Sequence, residues 1–256
     1  MKTKKYWFYL LIVLIFSSCA TSIVVDKNKS SKTKTKYKIE KISEKSKFLV
    51  TDIKYPQFDD YAFLNNIIKN SVENYYSSFK MYAESDWEEL YKIRIQADSK
   101  AELPPFEYKV SFELSETNKY ISVLFRTFVY DGGNHGSTNL LSYNFDKSKN
   151  KLVNITQSTG LSYKQLSQYC NKELVDRFLA EKNQGMQKSE IIEWVNEGTF
   201  PTPDNYEIFM LHENFVVVYF EEYTVAPYVY GEQSVKVPFN TSGQGTRPSS
   251  PWLGRF

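Results

Sequence analysis

Apolar and polar residues alternate with a period of two across residues 37–42 and 48–55, which predicts a pair of strands turning at Glu44 and Lys45. Pro56 has no amide hydrogen and is expected to end that ladder. Asp59 and Asp60 stand where a helix N-cap belongs, because beyond them Tyr61, Leu64, Ile68, Val72, Tyr75, Phe79 and Tyr82 recur at three- and four-residue steps. The spacing predicts one long amphipathic helix, continuing past Trp87 and Leu90 to Ile95 and lying across a sheet. Period two returns at 106–114, 120–130, 140–145 and 152–155, with turns at 116–118 and 147–150.

A second helical stretch opens at Ser162 and carries Leu166, Tyr169, Cys170, Leu174 and Phe178 on one face. Ile191, Ile192 and Val195 predict a short third helix, and Pro201 and Pro203 end helical structure. Strands resume at 206–211, 215–221 and 235–239. The pattern predicts an α+β fold: antiparallel sheets, a long helix packed on the first sheet, and a second helical insertion before the C-terminal strands. Residues 37–160 read as an N-terminal α+β subdomain, and 161–240 as a helix-plus-strand subdomain of the same module. The Gly-, Ser- and Pro-rich stretch 241–256 reads as a disordered tail.

The amino end adds a location. Lys2, Lys4 and Lys5 precede an apolar run over 6–16, and Ser17, Ser18 and Cys19 follow. This is the layout of a secretory signal over 1–18, and the run is much shorter than the roughly 20 residues a spanning helix needs. The cysteine after two serines resembles a bacterial lipobox, in which Cys19 receives the lipid; Phe16 stands where that box usually has Leu. Residues 19–36, rich in Lys, Ser and Thr, then form a solvated tether with little apolar surface to bury. The expected location is the bacterial cell envelope, lipid-anchored and extracytoplasmic. The other cysteine, Cys170, lies in a predicted amphipathic helix and is expected to be buried and inert.

Charge is divided along the chain. The formal net charge of +2 conceals nine lysines against three acids between Asp26 and Lys47, whereas the body from Phe48 onward carries 20 basic and 27 acidic groups, a net of −7. A binder of phosphate backbones needs its cations on the body that docks, so nucleic acid is not an expected partner. The basic segment suits anionic lipid headgroups beside an acyl anchor, and equally a plain spacer.

Two segments stand out at strand ends: Tyr130-Asp131-Gly132-Gly133-Asn134-His135-Gly136 and Tyr223-Thr224-Val225-Ala226-Pro227-Tyr228-Val229-Tyr230-Gly231. Add Tyr55-Pro56, the long helix, the Asp146/Lys147/Asn150/Lys151 hairpin and Val235-x-Val237-Pro238, and the chain resembles the RsiV/PdaC-like superfamily of exported bacterial domains from about 37 to 240. That superfamily takes its name from a lysozyme-sensing anti-sigma factor and a peptidoglycan deacetylase. The resemblance implies a ligand-facing module. It does not extend to a cytoplasmic sigma-binding part before the apolar run or to a metal domain after residue 239.

Candidate chemistry is sparse. His135 and His212 are the only histidines; no His-Glu-x-x-His, paired Cys-x-x-Cys, Gly-x-Ser-x-Gly or phosphate-cradling loop occurs, and no cofactor or metal is expected. Gly132-Gly133 fits a tight turn with positive φ that Asp131 and Asn134 can brace and His135 can orient; the alternative is a ligand-contacting loop. Tyr223, Tyr228 and Tyr230 are either rings packed at a proline-directed corner or an exposed surface for a sugar or a protein. Glu221 and Glu222, adjacent on a predicted strand, point to opposite faces and are poor paired carboxylates. The expected function is a monomeric, non-enzymatic binding module for cell-wall glycan or a lysozyme-like secreted protein, with Asp131, Asn134, His135, Tyr223, Tyr228 and Tyr230 as ligand-binding candidates. The alternatives are a hydrolase of wall polymers centred on His135 and an envelope-assembly lipoprotein.

Overall fold

The computed structural model describes residues 34–98, 100, 102–180 and 187–238. The expected signal segment, Cys19, most of the tether and the tail lie outside the described residues.

Among the described residues, nine strands form two sheets. The first has six strands in the order β1 (Tyr37–Lys45), β2 (Leu49–Phe58), β3 (Phe106–Glu116), β4 (Tyr120–Tyr130), β5 (Ser137–Asp146) and β6 (Lys151–Leu152). All its pairs are antiparallel except β2 with β3, which run parallel because α1 (Ala62–Ala97) crosses over between them. Pro56 does not end β2. It pairs with Ile39 of β1, but the ladder to β3 stops at Ile53 opposite Val110, so β2 is paired on one side alone there.

The apolar stripe of α1, Leu64, Ile68, Val72, Ala83 and Trp87, packs on Leu49, Ile53, Phe106, Tyr108, Val110 and Phe125 of the sheet. Asp59 and Asp60 do not cap it. Tyr61 is the N-cap without a side-chain bond, and Asn65 fixes the entry instead: its Oδ1 accepts from the Phe58 amide at 2.8 Å and its Nδ2 donates to the Phe58 carbonyl at 2.7 Å.

The expected strand at 152–155 is short, because Asn154 caps a helix, α2 (Ile155–Thr159), through a reciprocal box with Gln157. Helices α3 (Tyr163–Ala180) and α4 (Lys188–Gly198) follow, then the second sheet, β7 (Phe209–Leu211), β8 (Phe215–Phe220) and β9 (Gln233–Pro238), all antiparallel. Their core joins Leu166, Cys170, Leu174, Phe178, Ile191 and Val195 to Val216, Val218, Phe220, Val235 and Val237.

A polar seam locks the second sheet onto half of the first sheet's outer face. Ser122 Oγ accepts from the Leu211 amide at 2.9 Å, Ser142 Oγ accepts from the Phe209 amide at 3.0 Å, and Asn144 Nδ2 donates to the Phe209 carbonyl at 2.9 Å. These side chains satisfy backbone groups of β7 that no strand pairs. Leu124, Leu140, Met210 and Tyr219 fill the space beside them. Among the described residues no helix is long and apolar enough to cross a membrane.

Candidate functional site

The two singled-out segments meet. The His135 ring stacks on Tyr228 with centroids 4.4 Å apart and planes at 25°, and Tyr223 lies 5.7 Å from Tyr228 at 30°. His135 Nδ1 and Tyr228 Oη both reach the Gly136 carbonyl, at 2.9 and 3.3 Å. A carbonyl only accepts, so His135 Nδ1 is the donor in this contact. His135 is exposed, Tyr223 is 56% exposed and Tyr228 half-buried, so the three rings present an open aromatic platform.

Each side of the platform is built from the chain beneath it. Gly132 has φ +89°, and a Cβ there would stand 3.0 Å from the Phe106 ring, so glycine is required; Gly133 has no such constraint. The Gly132 carbonyl accepts from Arg94 Nη2 at 3.3 Å, which ties the loop to the end of α1. A Cβ on Gly136 would stand 2.3 Å from the Phe128 ring. On the other side Tyr223 takes φ +67°, a left-handed backbone rare for an aromatic residue. Trp194 Nε1 holds its carbonyl at 2.9 Å, and Gly198 admits the Thr224 carbonyl, 2.1 Å from where a Cβ would be. Val225 and Ala226 are buried beneath.

Not every candidate joins. Tyr230 turns inward and packs edge-on against Phe178 at 5.1 Å, with its hydroxyl buried and unpartnered, because the single turn over Tyr228–Tyr230 aims these two rings apart. Asp131 and Asn134 are exposed on the loop and make no side-chain hydrogen bond among the described residues, so the expected bracing is absent. Glu221 and Glu222 lie beyond the end of β8, and Glu221 Oε1 accepts from the Leu140 amide at 2.5 Å.

Pattern reading missed the groove beside the platform. The half of the outer sheet face that β7 leaves open forms a cavity of about 280 Å³, lined by Asp52, Lys54, Lys109, Ser111, Arg126, Phe128 and Thr138 among others. Arg126 forms its wall. Its Nε and Nη2 donate to both Glu232 oxygens at 2.8 Å, and Nη1 donates to Glu113 at 3.2 Å. The hydrogen bonds to Glu232 and then its charge raise the guanidinium pKa above its already high ordinary value. The signal in the sequence is the run of charged and hydroxyl residues at alternate positions of β3, Glu107, Lys109, Ser111 and Glu113.

The first described residues pack at the other end of β3. The Thr35 amide and hydroxyl donate to Glu116 at 3.0 and 2.5 Å, and Lys147 Nζ completes the cluster at 3.0 Å. Glu116 ends β3, whereas the 131–136 loop leaves β4 beyond Tyr130, which pairs with Glu107 near the start of β3. The length of β3, roughly 30 Å, separates them.

Nucleophilic chemistry finds no support at the other candidates. Cys170 is fully buried in the second core, and burial pushes its thiol up to about 12. His212 stacks on Phe215 at 4.5 Å and lies 3.2 Å from Ser115 Oγ; burial lowers its pKa. Among the described residues no group of three His, Cys, Asp or Glu side chains converges as metal ligands would.

Comparison with known proteins gives two family matches in tandem. Residues 42–138 match the family model described as "Deacetylase PdaC", and residues 155–240 the one described as "Protein of unknown function (DUF3298)". The chain is 25% identical over 238 residues to the peptidoglycan-N-acetylmuramic acid deacetylase PdaC of Bacillus subtilis, covering 90% of this chain and 48% of that protein. It thus spans about half the length of that relative. Among solved structures it is similar to a DUF3298-family protein from Bacteroides fragilis, with a TM-score of 0.55 and 16% identity over 80% of this chain and 90% of the other. A DUF3298-family protein from Pseudomonas aeruginosa gives 0.49 and 15% over 80% and 89%. The Bacteroides structure shares the fold. His135 lies in the PdaC-type segment and Tyr228 in the DUF3298 segment, so the platform joins the two. Residues 42–138 and 155–240 are thus similar, in that order, to a PdaC-type domain and a DUF3298 domain, and together these stretches span most of the chain.

Proposed function

We propose that this protein is a lipid-anchored, non-enzymatic recognition module, acylated at Cys19, that binds cell-wall glycan through the platform of His135, Tyr228 and Tyr223. The observation that carries the reading is the His135–Tyr228 stack: two segments far apart in sequence converge on one exposed aromatic surface, and three glycines, Gly132, Gly136 and Gly198, together with the left-handed Tyr223 hold it in shape. Such rings offer an apolar face with polar edges, which suits sugar rings. The name of the Bacillus relative, a peptidoglycan deacetylase, supports a wall polymer as ligand. Binding is favoured over catalysis because His135 Nδ1 donates its hydrogen bond to the Gly136 carbonyl, and no nucleophile or carboxylate hydrogen-bonds its ring among the described residues.

The acidic body favours a second reading, a cationic secreted partner of the lysozyme type, steered by the net charge of −7 beyond residue 48. Sedimentation with purified peptidoglycan and calorimetry with lysozyme decide between them. Retention on peptidoglycan that drops at least tenfold in Tyr228→Ala supports the glycan reading; retention unchanged in that variant overturns it. Labelled palmitate entering the wild type and not Cys19→Ser tests the anchor.

A further inference from the structure

The groove beside the platform has its own chemistry, and we infer that it is a subsite for one uncharged pyranose ring of a glycan. This rests on the glycan reading above and adds a second place of contact to it. The register sets two rows of side chains across the open face: Asp52, Lys109, Phe128 and Thr138 in one, Ser111 and Arg126 in the next. Three strand spacings make the first row about 14 Å wide. A cavity of about 280 Å³ is near the lower end of ligand sites, which start at roughly 300 Å³.

Its electrostatics select against a charged guest. Every lining cation already holds a carboxylate: Lys54 has Asp52 at 2.8 Å, Lys109 has Glu107, and Arg126 has Glu232 and Glu113. An anion entering would compete with built pairs, and a cation would find the carboxylates of Asp52, Glu107, Glu113 and Glu232 already held. What remains unused is neutral hydrogen-bonding capacity. The Arg126 guanidinium has five N–H groups and gives three to its carboxylates. The hydroxyls of Ser111 and Thr138 have no protein partner among the described residues. Each hydroxyl both donates and accepts, as a sugar hydroxyl does. Phe128 offers an apolar face in the floor, and its ring contacts Gly136, whose carbonyl binds Tyr228. The groove and the platform therefore share a wall, and one chain of sugars can run from one to the other.

The test is calorimetric titration of the full chain with chitotriose, a neutral oligosaccharide, and with trigalacturonate, an acidic one of the same length. Ser111→Trp and Thr138→Trp each fill the groove from a different strand, and Tyr228→Ala strips the platform. The expected result is chitotriose binding that falls at least tenfold in both tryptophan variants, with unchanged melting temperature in at least one, and trigalacturonate binding at least tenfold weaker than chitotriose. Chitotriose binding unaffected by either tryptophan overturns the groove and leaves the platform reading intact. A preference for trigalacturonate overturns the uncharged ligand. No sugar bound in solution, together with peptidoglycan retention that depends on Tyr228, overturns the subsite alone; loss of both overturns the two readings together.

Discussion

Arg126 and Glu232, 106 positions apart, form a two-pronged ion pair with both nitrogen–oxygen distances at 2.8 Å. Arg126 is on β4 and Glu232 just follows the turn that carries Tyr228, so the pair fastens the platform's second half to the first sheet. Glu232→Gln is expected to cost about 1–2 kcal/mol, more than an exposed pair, since both side chains are largely covered and the geometry is bidentate. Denaturant midpoints of Glu232→Gln, Arg126→Gln and the double variant measure it; additive losses would show that the two do not couple.

Removing the His135 ring should separate stability from recognition. His135→Ala loses one stacking contact, about 0.5–1 kcal/mol, and the melting temperature should fall only slightly. Peptidoglycan retention should fall at least tenfold. Unfolding of the variant at ordinary temperature would instead make His135 a structural residue.

Gly198 is the tightest approach between α4 and the tyrosine segment. Gly198→Ala would gain about 1 kcal/mol of helix propensity, but its methyl must push aside the Thr224 carbonyl. Net destabilisation of about 2–3 kcal/mol is expected, read by denaturant unfolding followed through Trp194 fluorescence.

Acid should weaken the fold through two carboxylates. Burial would raise both, but hydrogen bonds from Ser148 and the Lys149 amide hold Asp146 below its ordinary pKa, and those from Thr35 and Lys147 do the same for Glu116. A lowered folded-state pKa stabilises fully above the ordinary carboxylate value, about 4, and that stability is lost as pH falls through the folded value. Denaturant midpoints between pH 6 and pH 3 should fall, and Asp146→Asn should flatten the slope. An unchanged slope would remove Asp146 from the account.

Cys170, with its thiol pushed up to about 12 and no exposure, should be unreactive in the folded protein. In a Cys19→Ser background a disulfide reagent should label it only as fast as the protein unfolds. Rapid labelling in native buffer would contradict its burial.

The sequence shows most elements because their burial repeats at a fixed period: the α1 stripe and the alternation of β3 and β4 are one-dimensional signals. It hides what depends on a neighbour. The parallel β2–β3 pair follows from where α1 crosses, and Pro56 is tolerated because β3 has already left β2. Asn65, six residues past Asp59, took the task assigned to the aspartates because its amide can donate and accept at once. At the site, glycine and histidine marked the loop, yet nothing in Tyr223, Tyr228 and Tyr230 says that the last faces the core. The groove is a property of the seam, since only the position of β7 decides which half of the sheet stays open.

The clasp of Thr35 on Glu116 closes the end of β3 remote from the aromatic rings. Whatever precedes Lys34 is therefore joined to the folded body roughly 30 Å from His135 and Tyr223. An attachment made through that end would leave both rings uncovered.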